Sequence, residues 1–303
     1  MESFRHLIEY ALLRGLSGFL CLLPYRVALG LAWCVAWLAF HVVRFRRKKA
    51  LERIRSVFPD ISRREAKRIA WISLRNLFFN IVELMRMPVC SDKCFDRYYS
   101  NILPTIRHLQ ALAEKYGGLV MALPHCGNWD LAGLVADHYG LKICAITGRQ
   151  RNRRVDNWLA RVRGGMVVLE RGKLSDIRKA SRLLREGYTM AVLPDVRMRR
   201  KDIDVPFLGG VANLGSGMAR FAREAGVPIQ PVVVRRETWT RLVTETLPAI
   251  LPEEMTASDD ASTPEEIDLR TTRKVLAAFD AVIRSTPGQW FWYNSRWVLD
   301  PVS

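Results

Sequence analysis

The sequence predicts an α/β fold: a mainly parallel central sheet flanked by helices, resembling no all-helical or all-β pattern, with an apolar, membrane-anchoring helical segment in front of it. Three observations carry this. From Leu119 onward, short strand-like runs alternate with helix-like stretches. The connections between them are short. No internal repeat, low-complexity tract or convincing linker interrupts the order. Residues 1–50 are therefore assigned to an N-terminal membrane-associated helical segment and residues 51–303 to a single α/β domain. Of the 303 residues, 49% are hydrophobic and 25% charged, which is enough apolar material for a large packed core.

The N-terminal segment is apolar in two pieces. Leu12 to Leu23 is interrupted by Arg14 and stopped by Pro24. Val27 to Val43 carries no formal charge when His41 is neutral, and Arg44, Arg46, Arg47, Lys48 and Lys49 follow at once. A cleaved signal peptide places its basic residues before the apolar run, and here they come after it. A spanning helix needs about 20 apolar residues, so this run stands at the short edge. An interfacial hairpin with its basic cluster on anionic headgroups fits equally, and a buried core helix is the plainer alternative. A spanning segment with this basic cluster would leave the C-terminal domain on the cytoplasmic side.

Further along, Val57 to Ile61 reads as a turn. Ser62 with Glu65 reads as a capping box that opens a long helix. Its apolar positions Ala66, Ile69, Ile72, Leu77, Ile81 and Leu84 keep helical spacing as far as Pro88. Another helix is predicted from Thr105 to Tyr116, ended by Gly117-Gly118. The predicted strands are Leu119–Leu123, Ile143–Thr147, Met166–Leu169, Met190–Leu193, Ile229–Val234 and Leu242–Leu247. The helices between and after them are Trp129–His138, Val155–Val162, Leu174–Arg185, Leu214–Ala225 and Pro264–Arg284. Glu253 to Ser262 is acidic and turn-rich and reads as a surface loop.

The stretch of greatest chemical interest is Leu123-Pro124-His125-Cys126-Gly127-Asn128-Trp129-Asp130-Leu131, where a strand ends, the chain turns and a helix starts. If His125 sits on the turn and Asp130 in the first helical turn, the aspartate can accept from one imidazole nitrogen and leave the other as a general base toward a hydroxyl. The helix N-terminus offers backbone N–H groups for a developing oxyanion. The plainer reading is a turn histidine beside a helix-start aspartate.

Other strand ends are also polar. Arg149, Arg151, Arg153 and Arg154, then Arg161 and Arg163, follow the second strand, where ligands gather in open α/β sheets. They are placed to grip phosphates of a substrate or a phosphopantetheine arm, or else form a solvated basic face. Glu170 follows the third strand and Asp195 the fourth. Asp195 could orient the acceptor, add a second carboxylate near the histidine, or cap a loop. The aromatic end, Gln289 to Trp297, reads as the wall of an acyl tunnel, a membrane-interface belt or core.

Charge and cysteines narrow the partners. Lys plus Arg number 47 against 30 for Asp plus Glu, a formal charge of +17. Such a surface seeks anions: nucleic acid, acidic membrane, phosphorylated substrate or an acidic carrier protein. The six cysteines form no C-x-x-C pair, so reduced cytoplasmic thiols are expected and no metal site. Leu214-Gly215-Ser216-Gly217 fails the spacing of a nucleophile elbow, and neither a P-loop nor a G-x-G-x-x-G is present.

Taken together, these residues resemble a known family. His125 to Asp130 matches the HX4D motif of glycerolipid-type acyltransferases. Arg46-Arg47, Val57-Phe58-Pro59, Asn80-Ile81-Val82-Glu83, Arg149 to Asn152, Leu193-Pro194-Asp195, Val205 to Gly209 and Pro287 to Trp297 narrow the resemblance to the bacterial lipid A biosynthesis acyltransferases, a group that includes phosphatidylinositol mannoside acyltransferases. The aspartate that ends the motif, with Gly127-Asn128-Trp129, is closer to the mannoside-type branch than to enzymes ending in glutamate. The resemblance implies a monomeric enzyme on the cytoplasmic face of the inner membrane. It would move a fatty acyl chain from acyl carrier protein or coenzyme A to a hydroxyl of a lipid or glycolipid, with the thioester as co-substrate and no other cofactor. His125 is then the general base and Asp130 its partner, with Asn128, Arg149, Arg163, Glu170 and Asp195 positioning substrate. A basic membrane-surface or nucleic-acid binding protein without catalysis, and a thioesterase with water as acceptor, are the competing functions.

Overall fold

The computed structural model describes residues 2–90, 92–99, 101–148, 150–256 and 263–300. Two helices lead, α1 (Glu2–Leu22) and α2 (Tyr25–His41), parted at Pro24, whose extended backbone (ψ 141°) turns the chain. Next come α3 (Arg47–Val57) and α4 (Arg63–Met85). Ser62 caps α4 by accepting from the Glu65 N–H at 3.1 Å, one half of the predicted capping box, while the Glu65 carboxylate pairs with Arg68 at 3.3 Å. After α5 (Asp92–Tyr98) and α6 (Ile102–Tyr116) the alternation begins. It runs β1 (Leu119–Ala122), α7 (Trp129–His138), β2 (Ile143–Thr147), α8 (Arg153–Val162), β3 (Val167–Glu170), α9 (Leu174–Arg185) and β4 (Thr189–Val192). There follow β5 (Ile203–Phe207), β6 (Gly210–Leu214), α10 (Gly217–Ala225), β7 (Ile229–Thr238), β8 (Arg241–Thr246) and α11 (Pro264–Ser285).

Six strands form one sheet in the order β3-β2-β4-β1-β7-β8, all parallel except β8, which pairs antiparallel with β7. Helices cover both faces. Along β1 the side chains alternate between two cores. Val120 and Ala122 join a cluster with α4, α10 and α11, and Leu119, Met121 and Leu123 join one with α6 and α7. The sheet is thus mixed α/β and mostly parallel, as the alternation implies.

Three differences from the sequence expectation have local causes. Leu214, expected to open a helix, instead closes β6 of an antiparallel β5–β6 hairpin, and the helix begins at Gly217. Residues 92–98, without an assigned element, form the short α5. The expected loop from Glu253 opens as a 3-10 turn, Pro252–Met255, and residues 257–262 lie outside the described residues.

The apolar run after Pro24 also takes a form different from a span. Among the described residues no helix is long and apolar enough to cross a membrane. At 17 residues α2 is about 26 Å long, short of a hydrocarbon core of about 30 Å. One side of it, Ala28, Leu29, Ala32, Ala36 and Phe40, is buried in the protein. The opposite side, Val27, Leu31, Val35, Leu38 and Val42, is exposed at helical spacing.

Candidate active site

The site grows from two neighbouring parallel strands. In the β1–β4 ladder Ala122 stands opposite Val192, and the Leu123 N–H donates to the Val192 carbonyl at 2.9 Å. Each strand then continues with the same two residues before a polar one: Leu123-Pro124-His125 and Leu193-Pro194-Asp195. His125 and Asp195 therefore leave the sheet at the same height, side by side at its carboxyl end, where the chain departs to opposite sides of β1 and β4.

Their side chains meet. The Nδ1 of His125 is 2.7 Å from Asp195 Oδ1. Asp195 Oδ2 accepts from the His125 backbone N–H at 2.7 Å and from the Trp290 indole N–H at 2.8 Å. The Asp195 side chain is fully buried, whereas that of His125 is 19% exposed. Burial by itself would raise the aspartate's pKa. The charge of His125 and the three hydrogen bonds outweigh it and hold the carboxyl below its ordinary range. An ionised carboxylate only accepts, so Nδ1 carries the proton toward it and Nε2 is left as the acceptor of the neutral ring. Nε2 has no hydrogen bond among the described residues. The imidazole lies edge-on to Trp129, with ring centroids 5.0 Å apart, and Trp129 in turn contacts Phe291 at 5.9 Å.

The turn that carries His125 is held from behind. The segment 289–291 runs antiparallel to it: the Gly127 N–H donates to Gln289 O at 3.1 Å, and the Phe291 N–H to His125 O at 3.0 Å. Gly127 has φ +56°, and a Cβ there would stand 2.4 Å from the Val234 carbonyl oxygen, so the turn requires glycine. A buried polar network supports the next residue. Asn128 caps α7 by accepting from the Leu131 N–H at 3.1 Å and donates its amide to Glu83 Oε2 at 2.7 Å. Glu83 holds Arg236 through two contacts of 2.7 Å, and both side chains are 1% exposed. Asn80 bridges Arg236 (3.0 Å) to the Gly127 carbonyl (2.5 Å), and Tyr25 donates to Glu83 at 2.6 Å. Burial would lower the Arg236 pKa, but the Glu83 charge prevails and keeps the guanidinium raised.

The other expected site residues fall in different places. Asp130 does not serve the imidazole: it stands in the first turn of α7 with its side chain 42% exposed and pairs with Arg163 at 3.5 Å. The carboxylate on Nδ1 is that of Asp195, because parallel pairing brings strand ends together, whereas α7 carries position 130 away from the turn. Asn128 is 1% exposed with its amide spent on Glu83 and the helix cap, so it shapes the turn rather than facing a ligand. Glu170 ends β3, three strand positions from β1 and roughly 14 Å away across the sheet. Its N–H donates to Asp176 at 2.8 Å. Arg149 lies outside the described residues. Cys126, next to the base, is fully buried, and burial pushes its thiol pKa well above the usual value, which disfavours a thiolate nucleophile. The backbone N–H groups of residues 125, 126 and 127 are all taken by Asp195, Pro124 and Gln289. Those of Trp129 and Asp130, at the start of α7, make no hydrogen bond among the described residues.

Sequence reading missed the roles of Trp290, Glu83 and Arg236. The repeated Leu-Pro before His125 and Asp195 was the one signal that could have paired those two.

The chain is similar in sequence to known proteins. The phosphatidylinositol mannoside acyltransferase of Mycobacterium tuberculosis (strain ATCC 25618 / H37Rv) is 24% identical over 224 residues, covering 72% of this chain and 66% of that protein. The phosphatidylinositol mannoside acyltransferase of Mycolicibacterium smegmatis (strain ATCC 700084 / mc(2)155) is 24% identical over 202 residues, covering 64% and 62%. The chain thus matches just under two thirds of the length of these relatives. The family model of the bacterial lipid A biosynthesis acyltransferases matches residues 1–298, nearly the whole chain, and the chain belongs to that family.

Proposed function

We propose that the protein transfers a fatty acyl chain from a thioester, on acyl carrier protein or coenzyme A, to a hydroxyl of a lipid or glycolipid, with His125 as general base and Asp195 as the group that orients it. The observation that carries this is the 2.7 Å contact between His125 Nδ1 and a buried, ionised Asp195, which leaves Nε2 as the free nitrogen of a side chain that is 19% exposed. Nε2 takes the proton of the acceptor hydroxyl as its oxygen bonds to the thioester carbonyl carbon. The imidazolium that forms is stabilised by Asp195. The C–S bond breaks, and the proton passes from Nε2 to the departing sulfur. The N–H groups of Trp129 and Asp130, unused at the start of α7, are the donors assigned to the oxyanion. The acyl group passes directly to the acceptor, since the buried Cys126 is poorly suited to carry it. Arg163, tied to Asp130, stays in this scheme as a substrate-positioning group at the mouth, and Arg149 is proposed for the same task.

The enzyme works at a membrane surface in this reading. On α1, Phe4, Ile8, Leu12, Leu16 and Phe19 form an exposed stripe at helical spacing, and α2 has an exposed apolar side of its own. Arg44, Arg46 and Arg47 follow it, suited to anionic headgroups. A cytoplasmic face and a monomeric state belong to the same proposal.

The test is His125→Ala, assayed as acyl-thioester turnover with a membrane lipid extract as acceptor and mass spectrometry of the product. Activity is expected to fall by at least about 10²–10⁴-fold while the circular dichroism spectrum stays native. A variant that retains activity removes His125 from the chemistry.

A further inference from the structure

Away from the imidazole, α1 and α8 enclose a cavity of about 480 Å³ that the reaction scheme does not use. Its apolar lining comes from Trp158 on α8 and from Met87 and Pro88 after α4. Its polar lining is two guanidiniums and a phenol: Arg14 and Tyr10 from α1, and Arg161 from α8. Arg14 has no ion-pair partner among the described residues. Arg161 donates to the Tyr10 hydroxyl at 3.3 Å, so the hydroxyl's own proton remains for another acceptor. Trp158 is 3% exposed, and its indole N–H is buried without an acceptor. A buried donor of that kind ordinarily has a partner. The nearby Glu9 does not neutralise the site, being occupied by Arg5 at 3.3 Å and Asn152 at 3.1 Å.

We infer that this cavity is a binding site for a phosphate ester that carries an apolar chain. Two guanidiniums and a phenol present several donors and no carboxylate, which matches the oxygens of a phosphate. The apolar lining gives no reason to bind a bare inorganic ion and suits the glycerol or acyl portion of an amphiphile. Leu12 and Leu16, two residues to either side of Arg14, are 69% and 48% exposed and belong to the opposite side of α1, so the cavity stands on the face of the helix turned away from its apolar stripe. At its far end α8 runs into Arg163, whose guanidinium pairs with Asp130 in the first turn of α7, the helix that follows the His125 turn. One element therefore lines the cavity and reaches the helix next to the reaction site. The assignment rests on the acyl-transfer reading for its substrate class. The phosphate can come from the acceptor lipid or from the phosphate-bearing thiol of the donor.

Binding can be read without turnover. The whole protein, labelled at the tryptophan indole nitrogens, is titrated with dihexanoyl phosphatidylglycerol, with dihexanoylglycerol and with coenzyme A, and the Trp158 signal is assigned with Trp158→Phe. A saturable shift of the Trp158 indole with phosphatidylglycerol and none with dihexanoylglycerol is expected. Arg14→Ala and Arg161→Ala should each weaken it by at least about tenfold. Arg14 is exposed and has no ion pair among the described residues, so its variant is expected to fold as the parent does. Saturation by coenzyme A with the same arginine dependence would assign the phosphate to the donor, and saturation by phosphatidylglycerol alone to the acceptor. Three results overturn the inference: no saturable response to either phosphate probe, an equal response to dihexanoylglycerol, or unchanged affinity in both arginine variants. Because no acyl transfer is measured, a failure here is separate from a failure of His125→Ala.

Discussion

Asp195 and Asp130 stand close to the same histidine, one by strand pairing and the other by chain order, and they are treated in opposite ways. Asp195 is sealed from water and accepts from an imidazole, a backbone N–H and an indole. Asp130 is nearly half exposed and has one arginine at 3.5 Å. The first carries a charge that the fold has surrounded with donors, and the second is a surface charge at a helix start. Closeness along the chain is therefore a poor guide to which carboxylate an imidazole uses. In a parallel sheet, groups at equal distances past paired residues share the same edge, however many residues separate them.

The comparison is most easily broken at Asp195. Asparagine would present an N–H₂ where three donors converge, so it either opposes the His125 and Trp290 N–H groups or turns the imidazole to its other tautomer. Asp195→Asn is expected to lower turnover by about 10⁴-fold, the size of a wrong-tautomer defect, measured in the same thioester assay. The depressed carboxyl adds a stability signature. Its folded pKa lies below the ordinary 3.8, so its contribution is complete above that value and is lost as the pH falls further. The parent's melting temperature should therefore drop more steeply below about pH 4 than that of Asp195→Asn. Equal slopes would mean the carboxylate is not held in its ionised form.

The support behind the turn comes next in size. Glu83→Gln leaves Arg236 buried without its counter-charge, at a cost of about 3–5 kcal/mol in urea unfolding. Asp130→Asn is the smallest. A part-exposed pair at 3.5 Å contributes at most about 1 kcal/mol, so its unfolding midpoint should stay close to the parent's. A loss as large as that of Glu83→Gln would show that the two carboxylates at the mouth and behind the turn are equally buried in function, and would remove the contrast.

The same contrast explains what could be read from residues alone. The helices Trp129–His138 and Leu174–Arg185 and the strand Ile143–Thr147 have the bounds their patterns predict, because each is set by local spacing. The β5–β6 hairpin escaped because its turn is Leu208-Gly209, with φ +52° and +82°, in place of the Asn-Gly or Asp-Gly that usually announces such a turn. His125 was legible as a strand-end imidazole. Asp195 was legible only as one of several options for its partner, since strand order is a tertiary fact: β4 stands between β1 and β2 in the sheet, although β2 and β3 separate it from β1 in sequence. Trp290 was legible only as one member of an aromatic run, and nothing in that run marks which indole reaches a carboxylate. Glu83 and Arg236, separated by 153 positions, meet only in the folded core.

The lacing of residues 289–291 onto the turn at 125–127 bears on the order in which the molecule becomes active. Translation at about 5–20 residues per second delivers the apolar stripe of α1 tens of seconds before Gln289, Trp290 and Phe291 emerge. Until they do, Asp195 lacks its indole donor and the histidine turn lacks the strand that braces it. Under the proposed function, a ribosome-bound chain would thus be able to meet a bilayer well before it is able to deprotonate an alcohol.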